Sequence, residues 1–242
     1  MVGEEMAEPD LIVIGGGSAG LVGAGTAARL GARVTLVEAD RLGGDCTWTG
    51  CVPSKALIHT ATVARQSRIG PWIVNTEIDA SAAMAHVKRA IASVYARETP
   101  EVLSKKGVEV LAGAARFRDP QTLELDGRAL SAPRFVICTG AAPSAPPLID
   151  LEEAGYLTYR TVFALERPPA SLIVLGGGAV GVELAQALSR LGSKVTLVEQ
   201  AERLVRAADP EASDLIAGVL AGEGIQLHLG AGVDRVRRRV VR

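Results

Sequence analysis

Cys46 and Cys51 are separated by four residues in the segment Gly43–Lys55, which reads GGDCTWTGCVPSK. Two thiols at this spacing can form a redox-active disulfide, a structural disulfide, part of a metal site or a pair of buried thiols. A structural zinc site takes four ligands, and the sequence has no second Cys/His cluster at a suitable spacing. In a reducing cytosol, the usual disulfides are reactive or transient ones. The pair therefore favours redox chemistry.

A glycine-rich fingerprint lies ahead of the cysteines. The apolar run Leu11–Ile14 predicts a buried parallel strand, and glycines in G-x-G-x-x-G spacing follow it at Gly15, Gly17 and Gly20. In such a motif the first glycine permits a tight turn, the second lets the backbone approach a pyrophosphate, and the third allows close helix packing. A second apolar run ends at Glu38, whose carboxylate can accept a hydrogen bond from a ribose hydroxyl. Together they predict a dinucleotide site.

The same pattern recurs 161 residues later. Its members are Leu172–Leu175, Gly176, Gly178, Gly181 and Glu199. Two such sites imply two dinucleotides, and hydride transfer needs a donor and an acceptor. The economical assignment is a tightly held flavin at one site and a diffusible nicotinamide cofactor at the other. Because the cysteines follow the first fingerprint, the first site is predicted to hold the flavin.

Taken together, these motifs resemble the class I pyridine nucleotide-disulfide oxidoreductases, a family that includes dihydrolipoamide dehydrogenase, glutathione reductase and mercuric reductase. The resemblance covers nearly the whole chain. The cysteine segment is most similar to the dihydrolipoamide dehydrogenase and mercuric reductase-like branches, which also end in Pro-Ser-Lys. Asp45–Trp48 departs from the commoner Thr-Cys-x-Asn pattern and favours the mercuric reductase-like side. The resemblance implies an α/β fold of two Rossmann-like dinucleotide-binding domains with a β-meander insertion, here without the C-terminal dimerisation domain.

The resemblance also implies roles for four side chains. Cys51 would stack against the flavin and form the charge-transfer thiolate, and Cys46 would be the interchange thiol that attacks substrate. Lys55 would lie near the flavin and pair with Glu183 after the second fingerprint. Pro53 suits the first turn of a helix, so Cys51 is expected at or just before a helix N-terminus, where the helix dipole stabilises a thiolate.

The cofactors implied are FAD and NADH or NADPH, with no metal ion. The FAD site is expected at Gly15, Gly17, Gly20, Glu38, Gly44, Gly50, Thr139 and Gly140, and the nicotinamide site at Gly176, Gly178, Gly181 and Glu199. Thr139–Gly140 matches the second flavin-domain motif of the family, the alternative being a plain turn after a strand. Glu199 favours NADH because a carboxylate repels a 2′-phosphate, although Arg203 and Arg206 weaken that preference. Cys138 is predicted to be a packing residue.

Composition excludes several classes of protein. The 242 residues are 48% hydrophobic and carry a net charge of −1, which suits one or two α/β domains and no polyanion partner. The basic run at residues 235–242 alternates with valines as in a solvated strand, so nucleic-acid binding is not expected. No run approaches the roughly 18 apolar residues of a membrane span. Met1–Asp10 carries acids where a signal peptide carries bases, and the protein is predicted to be cytoplasmic.

Periodicity predicts the remaining elements. Helices are expected at Lys55–Arg68, at Ala80–Leu103 with Asp79 as a cap, and at Pro210–Leu220. Strands are expected at Val108–Leu111, Ala115–Phe117, Thr122–Leu125, Arg134–Cys138 and Ile225–Leu229. The first four of these runs are separated by turn residues and suggest a meander.

A proline-rich linker at Ala141–Pro147 divides the chain into an FAD-binding domain, 1–146, and an NAD(P)-binding domain, 147–242. In the family, a later segment completes the flavin site, and an interface domain supplies a His-Glu pair. None of the three histidines of this sequence matches that pair: His59, His86 and His228. Two hypotheses follow. In one, the chain is part of an enzyme, a homodimer at full length, that reduces a small-molecule or small-protein substrate. In the other, it is a truncated dinucleotide-binding fragment without turnover.

Overall fold

The computed structural model of the protein describes residues 8–69 and 77–237. The described residues divide into two compact units. Of the described residues, 8–52 and 91–142 form one unit, and 53–69, 77–90 and 143–237 form the other. The functional domain boundary between residues 146 and 147 stays a prediction.

Strands and helices alternate along much of the chain. The strands are β1 (Leu11–Ile14), β2 (Val34–Glu38), β3 (Val108–Ala112), β4 (Arg116–Asp119), β5 (Thr122–Leu125), β6 (Arg128–Ser131), β7 (Phe135–Ile137), β8 (Ser171–Leu175), β9 (Lys194–Glu199) and β10 (Gln226–Leu229). The helices are α1 (Ser18–Arg29), α2 (Gly44–Trp48), α3 (Cys51–Gln66), α4 (Ala80–Tyr95), α5 (Pro100–Ser104), α6 (Leu151–Ala154), α7 (Ala179–Arg190) and α8 (Pro210–Gly222). The predicted α/β fold class is confirmed.

The first unit is built on a parallel sheet with the strand order β3-β2-β1-β7. Its central strand β1 buries Ile12 and Val13 completely, as expected of a continuous apolar run covered on both faces. Val13 packs with Leu36 of β2 and Ala24 of α1, while Ile12 packs with residues of the other face. The helix that follows β1 therefore lies on one side of the sheet.

A three-stranded antiparallel meander of β4, β5 and β6 covers the other face. Leu123 and Leu125 of β5 are buried against Ile12 and Val37. The grouping of four sequence runs into one meander was wrong, because β3 and β7 pair in the parallel sheet. Short strands of both kinds have similar local patterns, and only their long-range partners distinguish them. The third strand of the meander, β6, was not predicted.

The helix expected over Ala80–Leu103 is interrupted, and this prediction was wrong. Helix α4 ends at Tyr95, and α5 starts at Pro100. The Oγ1 atom of Thr99 accepts a hydrogen bond from Val102 N at 3.4 Å, and proline suits the first position of a new helix. Asp79 caps α4 as predicted, since its Oδ1 accepts from Ser81 N at 2.9 Å.

The second unit repeats the plan in a parallel sheet of order β10-β9-β8. Helix α8 extends two residues beyond the predicted Leu220. Leu197 of β9, Ala185 of α7 and Leu220 of α8 lie in one buried cluster. The predicted strand at Ile225–Leu229 is observed as β10.

The internal sequence repeat is also a structural repeat. Helices α1 and α7 have equivalent first and last residues at a spacing of 161, and strands β2 and β9 end at the equivalent acids Glu38 and Glu199. In both units the third fingerprint glycine faces the carbonyl of the first. A Cβ on Gly20 would collide with the oxygen of Gly15, and one on Gly181 with the oxygen of Gly176.

At the end of the described chain, Arg235 makes an isolated parallel bridge with Ile149 and an ion pair of 3.3 Å with Asp150. The rest of the predicted basic strand, residues 238–242, lies outside the described residues. Across 8–69 and 77–237, every helix is too short or too polar to traverse a lipid bilayer.

An ionic cluster lies between α7 and the residue after α8. The Glu223 side chain is only 4% exposed and accepts two hydrogen bonds from Arg190, at 2.7 and 2.8 Å, and one from Gln186 at 3.0 Å. The guanidinium of Arg190 lowers the pKa of the Glu223 carboxyl. Arg65 adds a weaker ion pair, with its Nε at 3.6 Å from the carboxylate.

The close approach of α1 to its turn gives the first prediction. Gly20→Ala should destabilise the fold by about 1–3 kcal/mol, because the new methyl group must displace backbone. Gly25→Ala, on the same helix with nothing within 4 Å of a Cβ, should be neutral or stabilising by about 0.5–1 kcal/mol. Urea unfolding of both variants tests this, and equal losses would contradict it.

The second prediction concerns acid stability. The stabilisation that Glu223 contributes should be present above its ordinary carboxyl pKa of 4.5 and be lost as the pH falls through its lowered folded pKa. Glu223→Gln should cost about 1.5–3 kcal/mol near neutrality and flatten the acid limb below about pH 4.5, because an amide does not titrate. Thermal melting between about pH 7 and 3 measures this. The matched control is Glu211→Gln, at an exposed carboxylate in the first turn of α8, which should keep the acid limb of the unmodified chain.

Candidate active site

The first fingerprint brings three backbone segments together at the carboxyl end of β1. Gly15 has φ +101°, which an L-residue rarely adopts, and a Cβ there would strike the carbonyl oxygen of Cys138 and lie 3.2 Å from Thr139 Cα. Thr139 therefore lies beside the fingerprint turn, in the exposed stretch that follows β7. Gly140, next in the chain, has φ +69°. Cys138 is half-buried against the core, which agrees with a packing role.

Glu38 fixes the conformation of the fingerprint turn. Its Oε2 accepts a hydrogen bond from Gly16 N at 2.5 Å, and its Oε1 accepts one from Asp40 N at 2.8 Å. An ionised carboxylate offers about four lone-pair sites, so these two bonds leave acceptor capacity for ribose hydroxyls. The acid can thus shape the turn and bind a ligand at once.

The N-terminus of α1 suits a pyrophosphate. Its N-cap residue Gly17 makes no side-chain capping bond, and no acidic residue stands in the first turn. Its first N–H groups and helix dipole are therefore available to a phosphate. Gly44 approaches this turn closely, because a Cβ on Gly44 would lie 2.7 Å from Gly17 Cα. The residues present fit the adenine dinucleotide part of FAD.

The two predicted redox cysteines stand on successive short elements. Cys46 lies within α2 and is half-buried, while Cys51 is the first residue of α3 and is exposed. Gly50 joins the elements, and a Cβ there would lie 2.8 Å from Asp45 O. The expected position of Cys51 at a helix N-terminus is observed.

Five side chains to which the sequence assigned no role make contacts that hold the cysteine segment in place. Thr47 Oγ1 donates a 2.7 Å hydrogen bond to Glu98 Oε2. The Trp48 indole Nε1 donates to Leu42 O at 2.7 Å, and its ring packs 4.9 Å from that of Tyr95. The guanidinium of Arg41 lies 4.1 Å from the Trp48 ring centroid, a cation–π geometry. Treating Ala80–Leu103 as one helix obscured Glu98, whose place in the loop before α5 puts it within reach of Thr47.

The second fingerprint reproduces this geometry. Gly176 has φ +102°, and Gly178 caps α7 without a side-chain bond or a first-turn acid. Glu199 accepts from Gly177 N at 2.5 Å and from Ala201 N at 2.7 Å. This turn therefore fits a second adenine dinucleotide.

Two arginines follow Glu199. Arg203 Nη1 is buried and has no hydrogen-bond partner among the described residues, whereas Arg206 is exposed. A buried donor without a partner is costly, which marks Arg203 as a group that a ligand oxygen can satisfy.

Lys55 and Glu183 both have exposed side chains, on α3 and α7. The ion pairs found among the described residues do not include one between them, and their pairing stays a prediction. The three histidines are all exposed. Within 8–69 and 77–237, no group of three or more His, Cys, Asp or Glu side chains is arranged to hold a metal ion.

Comparison with known proteins decides the family. Residues 9–241 match the model of the pyridine nucleotide-disulphide oxidoreductases. The chain belongs to this family. The resemblance inferred from the cysteine segment and the two fingerprints is thereby confirmed. Members of the family use FAD and NAD(P)H, in agreement with the predicted cofactors.

Two kinds of relative stand out. A mercuric reductase of Lysinibacillus sphaericus is 36% identical over 233 residues, which are 95% of this chain and 43% of that protein. A dihydrolipoyl dehydrogenase of Thermus scotoductus is 35% identical over 91% of this chain and 48% of its own. The Cu(II) complex of the HOCl-induced flavoprotein disulfide reductase RclA from Escherichia coli has a TM-score of 0.83 at 28% identity. The match covers 96% of this chain and 51% of that one. The chain thus spans about half the length of these relatives.

The exposure of the thiols predicts their order of alkylation. Cys51 should react about tenfold faster than Cys138 with iodoacetamide, because it is exposed and stands at the start of a 16-residue helix whose dipole favours the thiolate. Cys46 should be intermediate or slow. Quenched time points read by peptide mass spectrometry give the three rates. Faster labelling of Cys138 than of Cys51 would overturn the assignment.

Proposed function

We propose that this protein passes hydride from NAD(P)H to FAD and then electrons through a Cys46–Cys51 disulfide to an external acceptor. The observation that carries the proposal is the contact between Gly17 and Gly44, because it brings the cysteine segment against the turn that fits a dinucleotide. A flavin bound at this turn would lie next to the segment that carries the two thiols.

In the proposed flavin site, the α1 N-terminus takes the pyrophosphate and Glu38 the ribose hydroxyls. Thr139 and Gly140 supply the wall beside Gly15, and Gly50 keeps the cysteine elements close together. When bound, FAD supplies a group that accepts a hydride and hands two electrons to a disulfide.

In the proposed nicotinamide site, α7 and Glu199 repeat these contacts. We favour NADH, because a 2′-phosphate would meet the Glu199 carboxylate. The unpartnered Arg203 Nη1 is the feature that favours NADPH instead, since a phosphate oxygen would satisfy it.

The two cysteines then have separate roles. The disulfide takes up two electrons and two protons to give two thiols. Cys51 would form a thiolate against the flavin, stabilised by the N-terminus of α3, and Cys46 would attack the acceptor. The acceptor proposed is a small-molecule or small-protein disulfide, a metal ion or a related group. The names of the relatives include both mercuric reductase and disulfide reductase.

The proposed Lys55–Glu183 pair is supported by helix geometry. Thr62 and Lys55 stand seven residues apart on α3, and Arg190 and Glu183 stand seven apart on α7. Seven residues are about two helical turns, so each pair shares one face of its helix. Because Arg190 Nη1 donates to Thr62 Oγ1 at 3.1 Å, the two contacting faces are those that carry Lys55 and Glu183.

Assembly and location are part of the same proposal. The full-length protein is proposed to form a homodimer. It is also proposed to act in the cytoplasm, because a reducing setting suits a transient disulfide. The alternative is a dinucleotide-binding chain without turnover.

The experiment is an anaerobic NADH titration of the FAD-loaded chain, followed by visible absorbance. We expect the flavin peak to bleach and a long-wavelength band to appear, because a thiolate then lies against the flavin. Cys51→Ser should remove the band, while Cys138→Ser, which changes a packing thiol, should keep it. Glu183→Gln should slow bleaching by about tenfold or more if it positions Lys55.

Two outcomes would contradict the proposal. Flavin that binds and bleaches without a band in the unmodified chain would separate the thiols from the flavin. FAD that binds but is not bleached by NADH would favour the alternative, a dinucleotide-binding chain without turnover.

A further inference from the structure

The C-terminal part of α3 and the residues just after it make polar contacts with the end of α7 and with Glu223, all within the second unit. Arg190 Nη1 donates to Thr62 Oγ1 at 3.1 Å, and Arg65 Nε lies 3.6 Å from Glu223 Oε1. Arg68 Nη1 donates to Arg190 O at 3.1 Å. Three residues along one stretch of chain thus contact Arg190 or Glu223. We call Arg190 and Glu223, together with these contacts, the clamp.

The centre of the clamp is less exposed to solvent than its edge, and its contacts are shorter. Arg190 and Glu223 have side chains only 15% and 4% exposed, and they are joined by two parallel charge-assisted hydrogen bonds. Arg65 is 42% exposed and makes the longer contact. The buried pair therefore fixes where Arg190 points, and α3 attaches to this fixed guanidinium.

The internal repeat shows that this arrangement is not a requirement of the fold. Arg29 stands at the position in α1 that Arg190 occupies in α7. Within 8–69 and 77–237, the one hydrogen bond that its guanidinium donates is to Thr26 Oγ1 at 3.3 Å, in an exposed site. The same residue, at the same end of the equivalent helix, is thus a surface side chain in one unit and the centre of a buried cluster in the other.

We propose that Arg190 and Glu223 are positioning residues that hold α3 in register with α7. The Arg190–Thr62 hydrogen bond joins these helices two turns away from Lys55 and Glu183, on the helix faces that carry them, and Glu223 holds the Arg190 guanidinium in place. The inference rests on the proposed function: the clamp sets the approach of the Lys55 ammonium and the Glu183 carboxylate, on which hydride transfer from the nicotinamide to the flavin depends. Neither Arg190 nor Glu223 touches a reacting atom.

A double variant on the α3 side separates this role from plain stability. Thr62→Val with Arg65→Met removes two of the fastenings and leaves the buried Arg190–Glu223 pair intact. The matched control is Thr60→Val with Arg89→Met. It deletes a hydroxyl whose bond is to Ala56 O within α3 and an exposed guanidinium on α4.

The measurement is anaerobic stopped-flow bleaching of the FAD-loaded chain by NADH at several concentrations, with dithionite as a reductant that needs no nicotinamide site. In the double variant we expect the limiting rate of bleaching to fall about tenfold or more, because reacting groups tolerate little misplacement. The NADH concentration at half-maximal rate and the dithionite rate should stay within about twofold of the unmodified chain. Thr62→Ser with Arg65→Lys should recover most of the rate, since a hydroxyl and a positive charge return.

Each other outcome counts against the clamp or against the function beneath it. A double variant with the limiting rate of its control overturns the clamp while leaving the proposed function in place. Equal losses with NADH and dithionite show that the contacts only stabilise the fold, which also overturns it. An unmodified chain that dithionite bleaches and NADH does not overturns the proposed function, and the clamp falls with it. If the double variant does not fold, Thr62→Val alone is read in the same way.

Discussion

Direct contact between backbone atoms at the third and first fingerprint glycines is the constraint on which both dinucleotide units depend. Gly20 faces the carbonyl of Gly15, and Gly181 faces that of Gly176, with no room for a Cβ at either place. The contact brings the helix N-terminus to the carboxyl edge of the sheet, where an acid at the end of the second strand fixes the intervening turn. The main-chain N–H groups at the helix N-terminus thus form an anion site.

The position of the cysteine segment also depends on close backbone packing at glycines. Gly44 lies against Gly17 and Gly50 lies against Asp45, so the two thiols are carried to the dinucleotide turn by closely packed backbone. The tryptophan that replaces the commoner asparagine of the family motif faces Leu42 and Tyr95. Both contacts are made within the first unit, and they hold the segment in place there.

The second unit adds an ionic connection to this plan. Its buried Arg190–Glu223 pair requires precise partners, since a buried charge without one is strongly destabilising. In the first unit, the equivalent Arg29 donates instead to Thr26 Oγ1 at an exposed site.

Sequence alone determined the features that depend on local geometry. Glycine spacing, apolar runs and a terminal acid specify the two fingerprint units, because each element forms from residues adjacent in the chain. The start of α3 at Cys51 follows from Pro53 for the same reason. Tertiary structure decided what depends on distant partners. Strands β3 and β7 join the parallel sheet and not the meander, since a strand pattern does not name its neighbour. The meeting of Thr47 with Glu98, and of Thr62 with Arg190, required the folded chain, because side chains 51 and 128 residues apart leave no periodic trace in a sequence.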